Sequence, residues 1–265
     1  MRQCTRRALR VGMAAGAFIF FFAGAVLLSW IVLPVCWLGR ASPAHKRDRC
    51  QRLVRQAFVL FHAYLRWTGL LIFDPAVVAN HQPDEPTIII ANHPTLVDAT
   101  AIMAAFRRVC VITKPSLQRN PMIGPLCYYC GYIPSRGVSP TDLADTLKRA
   151  ALRLEENFSV LIFPERTRSP CEGLHRFRRG AFALAEESGI PILPIYIRAE
   201  PAALKRGQAW WDIPERPIQL TLTAGALIEP VDTHGNPRHS KSILRLARAY
   251  IEGQQALETA RNTHQ

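Results

Sequence analysis

A long apolar stretch near the amino terminus constrains this chain more than any other feature. Every position between Arg10 and Arg40 is uncharged. A helix of roughly 20 apolar residues crosses a bilayer, so this stretch is long enough to span one with some tilt. Trp30 and Trp37 resemble interfacial anchors. A secretory signal cleaved near 23–25 is the alternative, but the apolar run continues well past that point. The sequence therefore favours membrane attachment.

A second apolar segment, Ala57–Phe73, is interrupted only by His62 and Arg66. Its pattern allows two structures. The segment can return into the membrane as the second arm of a helical hairpin, or lie in the interface with the preceding basic residues against anionic headgroups. Alternatively, it is a core helix of the domain that follows. Basic residues flank the first apolar stretch on both sides, so the number of crossings stays open.

The positive net charge of the chain indicates an acidic partner. The 265 residues include 33 Lys and Arg against 20 Asp and Glu, a formal net charge of +13. Nucleic acid, an anionic membrane surface and a phosphorylated substrate all meet that description. Nucleic-acid binding explains neither the apolar amino terminus nor the acidic residues in the loops described below. We therefore expect a membrane and a phosphorylated ligand, and no nucleic acid.

From about residue 87 onward, short apolar runs alternate with longer amphipathic ones. The short runs are typical of buried strands: Thr87–Ala91, Val109–Thr113, Ser159–Phe163, Ile192–Ile197 and Ile218–Gly225. Helices are predicted over Pro140–Glu156, with Ser139 as its cap, and over Ser240–Ala256. This alternation predicts an α/β fold: a mostly parallel central sheet flanked by helices, over residues 76–265, preceded by membrane-associated helices in residues 1–75.

The loops after parallel strands are where such folds place their ligands. His93 and Asp98 follow the first predicted strand. A neutral imidazole can take a proton from a hydroxyl near pH 7, and a carboxylate on its other nitrogen fixes the tautomer. Five residues along one helix would point the two side chains apart, so they meet only if His93 precedes the helix. On spacing alone, a capping box formed by Thr95 and Asp98 is the favoured interpretation.

Two arginines also follow strand-like segments beside hydroxyl groups. Arg136 is next to Ser135, and Arg168 is next to Thr167. A guanidinium with neighbouring hydroxyls suits a phosphate or a carboxylate. Glu165 can hold one of these arginines in position or be an ordinary solvated charge.

Several common motifs are missing from the sequence. It has no G-x-S-x-G elbow, no Walker A loop and no G-x-G-x-x-G turn. Cys127 and Cys130 form a lone C-x-x-C, and Cys110 and Cys171 do not supply the second pair that a zinc site needs. Seven cysteines without paired spacing indicate a reducing compartment. We expect neither a metal nor a resident cofactor.

Taken together, four loops match an ordered set of motifs. Motif I is NHPTLVD (92–98), motif II GYIPSR (131–136), motif III FPERTRS (163–169) and motif IV IPILP (190–194). Their order and separation resemble the four blocks of the glycerolipid acyltransferases, and most of all the 1-acyl-glycerol-3-phosphate (lysophosphatidate) acyltransferase branch. The resemblance runs from about residue 85 to 200 and includes the basic HRFRRG segment (175–180).

The resemblance implies a reaction and assigns roles. His93 would be the general base that activates the acceptor hydroxyl, and Asp98 would orient it. The hydroxyl would attack the thioester of an acyl-CoA or an acyl-carrier protein, a co-substrate rather than a cofactor. Arg136, Glu165 and Arg168 are implied to bind the phosphate of a lysophospholipid. A membrane location, with the catalytic domain on the cytoplasmic face, would follow.

The sequence departs from the family pattern at the acceptor side. Motif III usually reads F-P-E-G-T-R-S, and here Arg166 occupies the glycine position. If that position needs a positive φ, an arginine there is strained; if not, it adds a charge to a cationic site. Motif II has Pro134 and Ser135 where the family tends to have an apolar residue and often Asp. We expect acyl transfer to be retained, with the identity of the acceptor open: a related lysophospholipid or a different hydroxylated amphiphile. The other alternative is a catalytically inactive, lipid-binding member of the family, against which the intact His93 and Asp98 argue.

Overall fold

Seven strands form one twisted sheet in the computed structural model, which describes residues 2–135, 139–170, 173–204 and 207–263. The strands are β1 (Leu71–Ile72), β2 (Ile88–Ala91), β3 (Val109–Thr113), β4 (Ile133–Pro134), β5 (Ser159–Ile162), β6 (Ile192–Glu200) and β7 (Ile218–Ala224). Their order across the sheet is β1-β7-β6-β2-β5-β3-β4. All neighbours are parallel except β6 and β7, which are antiparallel.

Helices cover both faces of this sheet. They are α1 (Arg2–Leu27), α2 (Leu33–Cys36), α3 (Pro43–Trp67), α4 (Pro75–Ala79), α5 (Asp98–Ala105), α6 (Pro115–Gln118), α7 (Gly124–Tyr129), α8 (Pro140–Glu155), α9 (Gly180–Ser188) and α10 (Ser240–Thr263). Alternate residues of β2 point to opposite cores. Ile89 packs with α3 and α5, whereas Ile88 and Ile90 pack with α8, α9 and α10. The apolar runs are continuous because both faces are buried.

The predicted α/β fold is confirmed. The five predicted strands are present, and β1 and β4, with two residues each, were not predicted. Ser139 caps α8, because its hydroxyl accepts a hydrogen bond of 3.1 Å from the Asp142 N–H. The last helix runs to Thr263 instead of ending at Ala256.

The amino-terminal apolar stretch forms a nearly continuous rod. A π-helical turn (Leu28–Val32) joins α1 to α2. It lies just before Pro34. Proline has no N–H to donate to the carbonyl four residues earlier, and its ring clashes with that carbonyl, so a regular α-helical turn is disfavoured here. In the part of the chain that the structure describes, Thr5–Cys36 is the one helical segment long and apolar enough to cross a membrane, with a mean hydropathy of 2.5.

This rod lies against the rest of the protein along its length. Near its beginning, the Arg10 guanidinium donates to the carbonyl oxygens of Pro214, at 3.0 Å, and Gly69, at 3.2 Å. Near its end, the Trp30 indole N–H donates to the Pro121 carbonyl at 2.9 Å, while the ring stays 60% exposed. The rod is therefore part of the molecule's surface rather than a separate stalk.

The second apolar segment is not one helix. It ends as a helix at Trp67, and Gly69, with a φ of +65°, turns the chain into β1. The inner face of α3 packs in the core with α5, as a core helix would. Its other side meets the rod, where Phe58 and Phe21 stack at 6.5 Å. Residues of β1 and α3 share a hydrophobic core with later residues, and the division at residue 75 stays a prediction.

Candidate active site

Three of the four motifs meet at one edge of the sheet. Motif I follows β2, and motif III follows β5, the strand beside it. Motif II contains β4, and the Ser135 N–H donates to the carbonyl of Thr113 at the end of β3, at 2.9 Å. Carboxyl ends of parallel strands share one edge, and the motifs gather there for that reason.

At the centre of this edge, His93 and Asp98 are directly bonded. His93 lies in the loop and Asp98 is the first residue of α5. The distance from Nδ1 of His93 to Oδ2 of Asp98 is 2.7 Å. The carboxylate is fully buried, whereas the imidazole side chain is 22% exposed. A buried carboxylate on Nδ1 favours the tautomer with its proton there and leaves Nε2 as the basic atom.

The capping interpretation of the same residues also holds in part. The Thr95 N–H donates to Oδ2 of Asp98 at 2.7 Å, and the Thr95 hydroxyl donates to Oδ1 at 2.5 Å. Asp98 therefore reaches back to the loop as the acidic member of a capping box does. One carboxylate both begins α5 and holds the imidazole, so the two interpretations describe one network.

The other side of the imidazole faces open space. The ring stacks on Phe163 of motif III with centroids 4.3 Å apart, which fixes its plane. Within the described residues, Nε2 has no hydrogen-bond partner, and His93 lines a large cavity. A base with a free lone pair, a fixed ring and an adjoining cavity has the geometry that general-base catalysis requires.

Glu165 holds the loops together. Its buried carboxylate accepts hydrogen bonds from the backbone N–H groups of His93, at 3.3 Å, and His175, at 2.8 Å. The Ser169 hydroxyl donates to the same carboxylate at 2.5 Å and also accepts from the His93 N–H. Glu165 is not among the described residues that line the cavity. These contacts hold motif I in position, and the carboxylate does not face a ligand in the cavity.

The cavity has an apolar end and a cationic end. Its volume is about 1510 Å³. Aromatic and aliphatic side chains of the rod and of α3 line one part: Ala14, Ala17, Phe18, Phe21, Phe58, Phe61 and Leu65. Basic side chains line another: Lys114, Arg119, Arg166, Arg168, Arg178 and Arg179. An amphiphile with an acyl chain and an anionic head group matches this division.

The other predicted binding residues have different positions. Ser135 and Arg168 line the cavity, and the Arg168 guanidinium is held by the Leu204 carbonyl at 2.7 Å. Thr167 is half-buried beside them. Arg136 lies outside the described residues, so its predicted role stays a prediction.

Several residues of this edge have roles that were not predicted from the sequence. The Asn92 side chain bridges to β6, donating to the Ile197 carbonyl at 2.8 Å and accepting from its N–H at 2.7 Å. These two hydrogen bonds resemble those between paired strands, and they lie where motif I leaves the sheet after β2. Lys114 and Arg119 follow β3, and the rule that identified motifs I and III would also have identified them. Nothing in the residue type alone distinguishes Asn92 from an ordinary loop residue.

Arg166 occupies a left-handed position, with a φ of +61°. Its N–H donates to the Phe163 carbonyl at 3.0 Å, which closes the turn of motif III. Both alternatives for this residue therefore apply. The backbone is one that glycine adopts more easily, and the guanidinium adds a positive charge to the cavity.

The C-x-x-C cysteines are buried thiols. Burial raises the pKa of Cys127 to about 12 and that of Cys130 well above its ordinary value. A thiol is a metal ligand or nucleophile only as the thiolate, which this environment disfavours. Over the described ranges, no group of three or more His, Cys, Asp or Glu is placed to hold a metal ion.

Comparisons with known proteins agree with this fold and with the resemblance of the motifs. Residues 76–198 match the family model described as Acyltransferase. The chain is 31% identical over 112 residues to a chloroplastic 1-acyl-sn-glycerol-3-phosphate acyltransferase of Brassica napus, covering 42% of this chain and 33% of that protein. A chloroplastic relative with the same activity in its name, from Arabidopsis thaliana, is 31% identical over 112 residues, covering 42% and 32%.

A solved structure has the same fold. It is the 1-acyl-sn-glycerophosphate acyltransferase PlsC of Thermotoga maritima, with a TM-score of 0.68 at 20% identity over 97% of this chain and 98% of that one. The match to the two chloroplastic proteins, by contrast, spans about a third of their length.

Fold and motif geometry together define an α/β protein in which residues 76–198, a little under half of the chain, match the Acyltransferase family model. Over this region the chain resembles the glycerolipid acyltransferases, and among them the 1-acyl-sn-glycerol-3-phosphate acyltransferases. The resemblance drawn from motifs I to IV is thereby confirmed.

Proposed function

We propose that this protein transfers a fatty acyl group from a thioester donor to the hydroxyl of a membrane lysophospholipid, 1-acyl-glycerol-3-phosphate being the first candidate. The single observation that carries the proposal is the 2.7 Å contact between His93 and Asp98 at the wall of a cavity that is apolar at one end and cationic at another. The named activity of the relatives supports the same acceptor.

The chemistry follows from the position of Nε2. His93 removes the proton from the acceptor hydroxyl as the oxygen attacks the thioester carbonyl. The new C–O bond forms, the C–S bond breaks, and the imidazolium returns the proton to the departing thiolate. Asp98 stabilises the imidazolium between these steps. The acceptor itself is the nucleophile, so the enzyme needs no nucleophilic side chain.

The cavity supports the choice of substrates. Its apolar end takes an acyl chain, and the arginines attract the acceptor phosphate or the phosphates of an acyl-CoA or acyl-carrier protein donor. The apolar rod forms part of the wall, so the acyl chain lies beside the segment we assign to the membrane. We place the catalytic domain on the cytoplasmic face, where such donors occur.

The deciding experiment compares purified wild type, His93→Ala and, as a matched control, the exposed His81→Ala. Each is incubated with a panel of lysolipid acceptors and both donor types, and the products are identified by mass. We expect His93→Ala to lose roughly 10²–10⁴-fold of the transfer rate while remaining folded and membrane-associated, and His81→Ala to keep it. Wild-type transfer by His93→Ala would remove the mechanism, and no transfer by the wild type would remove the function.

A further inference from the structure

A second group of arginines lies at the opposite edge of the sheet from the active site. Arg107 and Arg108 come directly before β3, at its amino end, whereas the motifs lie at carboxyl ends. Arg52 and Arg55 are one turn apart on α3, which packs beside them. All four line one small hollow of about 20 Å³, which we call the arginine hollow.

Carboxylates do not neutralise these charges. Asp48 lies 3.2 Å from Arg52 and 3.9 Å from Arg108. Among the described residues, Arg55 and Arg107 have no carboxylate within 4.0 Å. In the part of the chain that the structure describes, Asp48 is therefore the one carboxylate within 4.0 Å of any of these four guanidinium groups. Like charges placed close together repel one another, and an anion bound between them would remove that repulsion, even though the Arg52 side chain is 66% exposed and solvent screens part of it.

The environment of Arg55 shows this imbalance most clearly. Its Nε is buried and has no hydrogen-bond partner in the described part of the chain, and its guanidinium makes only a long contact of 3.5 Å to the Ala105 carbonyl. Burial and the neighbouring Arg107 both lower the pKa of Arg55. A buried donor without an acceptor costs free energy, so this guanidinium is poorly satisfied in its present surroundings.

Arg108 is held rigidly at the same place. Its Nε donates to the Asn157 carbonyl at 2.8 Å and its Nη2 to the Glu156 carbonyl at 3.0 Å. The guanidinium also lies over the Phe158 ring, 4.7 Å from its centroid. Its backbone has a φ of +55°, so the chain places this arginine in a conformation that side chains rarely adopt. A fixed guanidinium loses little entropy when a ligand arrives.

We propose that the arginine hollow binds a phosphate-type oxyanion, separately from the active site. The hollow has room for about one oxygen atom among its lining residues, which include Arg55 and Arg107. The other oxygens would face Arg52, Arg107 and solvent. Arginine forks match phosphate oxygens in geometry and charge. Two sources share this chemistry: the headgroup of an anionic phospholipid and a free phosphate monoester.

Phosphate binding to the full chain in neutral detergent micelles tests the site, measured by phosphorus NMR line broadening. We expect two classes of phosphate site in the wild type, because the cavity arginines form the other. Arg168→Gln should remove one class and Arg107→Gln the other, weakening it at least about tenfold. The control is Arg149→Gln, which removes a charge of the same sign from the surface of α8 and should leave both classes.

Arg55→Gln is the second variant, and because Arg55 is partly buried its thermal unfolding is measured alongside. The Arg107 side chain is exposed, so its variant tests the site even if Arg55→Gln unfolds. Displacement of phosphate by phosphatidylglycerol but not by phosphatidylcholine would identify a lipid headgroup as the ligand. Displacement by neither would identify the free phosphate monoester. Equal phosphate binding by Arg107→Gln and Arg149→Gln would overturn the proposal, whatever the acyl-transfer assay shows.

Discussion

A single carboxylate serves two hydrogen-bond networks at the active site. Oδ2 of Asp98 accepts from the imidazole of His93 and from the backbone of Thr95, and Oδ1 accepts from the Thr95 hydroxyl. An asparagine can satisfy this pattern, with its oxygen at the Oδ2 position and its amide donating to the hydroxyl. It cannot supply the negative charge that stabilises an imidazolium.

Asp98→Asn should therefore separate catalysis from folding. We expect kcat to fall by at least roughly a hundredfold, with the free energy of unfolding changed by about 1 kcal/mol or less. Thr95→Val is the control, because it removes a donor and keeps the charge, and it should cost less activity. The measurements are steady-state kinetics and denaturant unfolding in the same detergent. An Asp98→Asn enzyme with wild-type kcat would show that the carboxylate only begins α5.

Arg166 connects backbone strain with the charge of the cavity. A left-handed conformation costs a non-glycine residue roughly 1–2 kcal/mol, part of which is offset because glycine is more flexible when unfolded. Arg166→Gly should raise the free energy of unfolding by about 1 kcal/mol and raise the KM for an anionic acceptor. Asn157→Gly, at a φ of +68°, is the matched control and should not change KM. A lower or unchanged KM for Arg166→Gly would argue against a contact with the acceptor.

At the scale of elements, α3 supports α5 through one buried histidine. Nε2 of His62 lies 3.1 Å from the Thr100 hydroxyl, which donates to the Val97 carbonyl at the start of α5. The histidine must therefore donate, and its Nδ1 has no partner among the described residues. Burial lowers the pKa of His62 from 6.5 to about 4. The neutral ring is part of what holds the first turn of α5 in place.

This histidine should make the fold sensitive to acid. Its folded pKa is below its unfolded value, so its contribution is complete above pH 6.5 and is lost as the pH falls toward 4. The wild type should lose about 3 kcal/mol of unfolding free energy over that range from this group. His62→Gln keeps a donor without titrating and should flatten the pH dependence, whereas the exposed His234→Gln should not. Identical pH profiles for wild type and His62→Gln would contradict the assignment.

The helices and strands differ in how well they could be predicted from the sequence. The five longer strands and the capped α8 were predictable because period, length and capping residues act locally. β1 and β4 were not, since two residues carry no period and pair only because neighbours hold them. The role of α3 was left open because an apolar helix face looks the same against lipid and against protein. The pairing of His93 with Asp98 needed the resemblance, since their spacing alone favours a cap.

At the scale of the whole molecule, the apolar rod completes the cavity. Ala14, Ala17 and Phe18 line it from one side, and the loop after β6 meets the rod where Trp210 packs against Phe18 at 5.7 Å. The rod is therefore a wall of the cavity as well as the apolar segment that we propose lies against the membrane. This is why the sequence could predict the rod but not the cavity, which exists only once distant segments are assembled.

A bulky residue on the inner side of the rod should shorten the acyl chain that the enzyme accepts. Ala17 is buried and lines the cavity, so Ala17→Phe fills part of the apolar end. We expect the products, identified by mass, to shift toward shorter acyl chains. Ile19→Phe is the control, because Ile19 is 69% exposed and lies off the cavity. The same chain-length profile for both variants would place the acyl chain elsewhere.

The double role of the rod has a practical consequence for handling the protein. We expect detergent molecules that bind the outer face of the rod to compete with its attachment through Arg10 and Trp30. A detergent that lifts the rod would open the cavity on one side, so chain-length preferences measured after extraction would vary with the detergent. Reconstitution into lipid nanodiscs should restore a single preference.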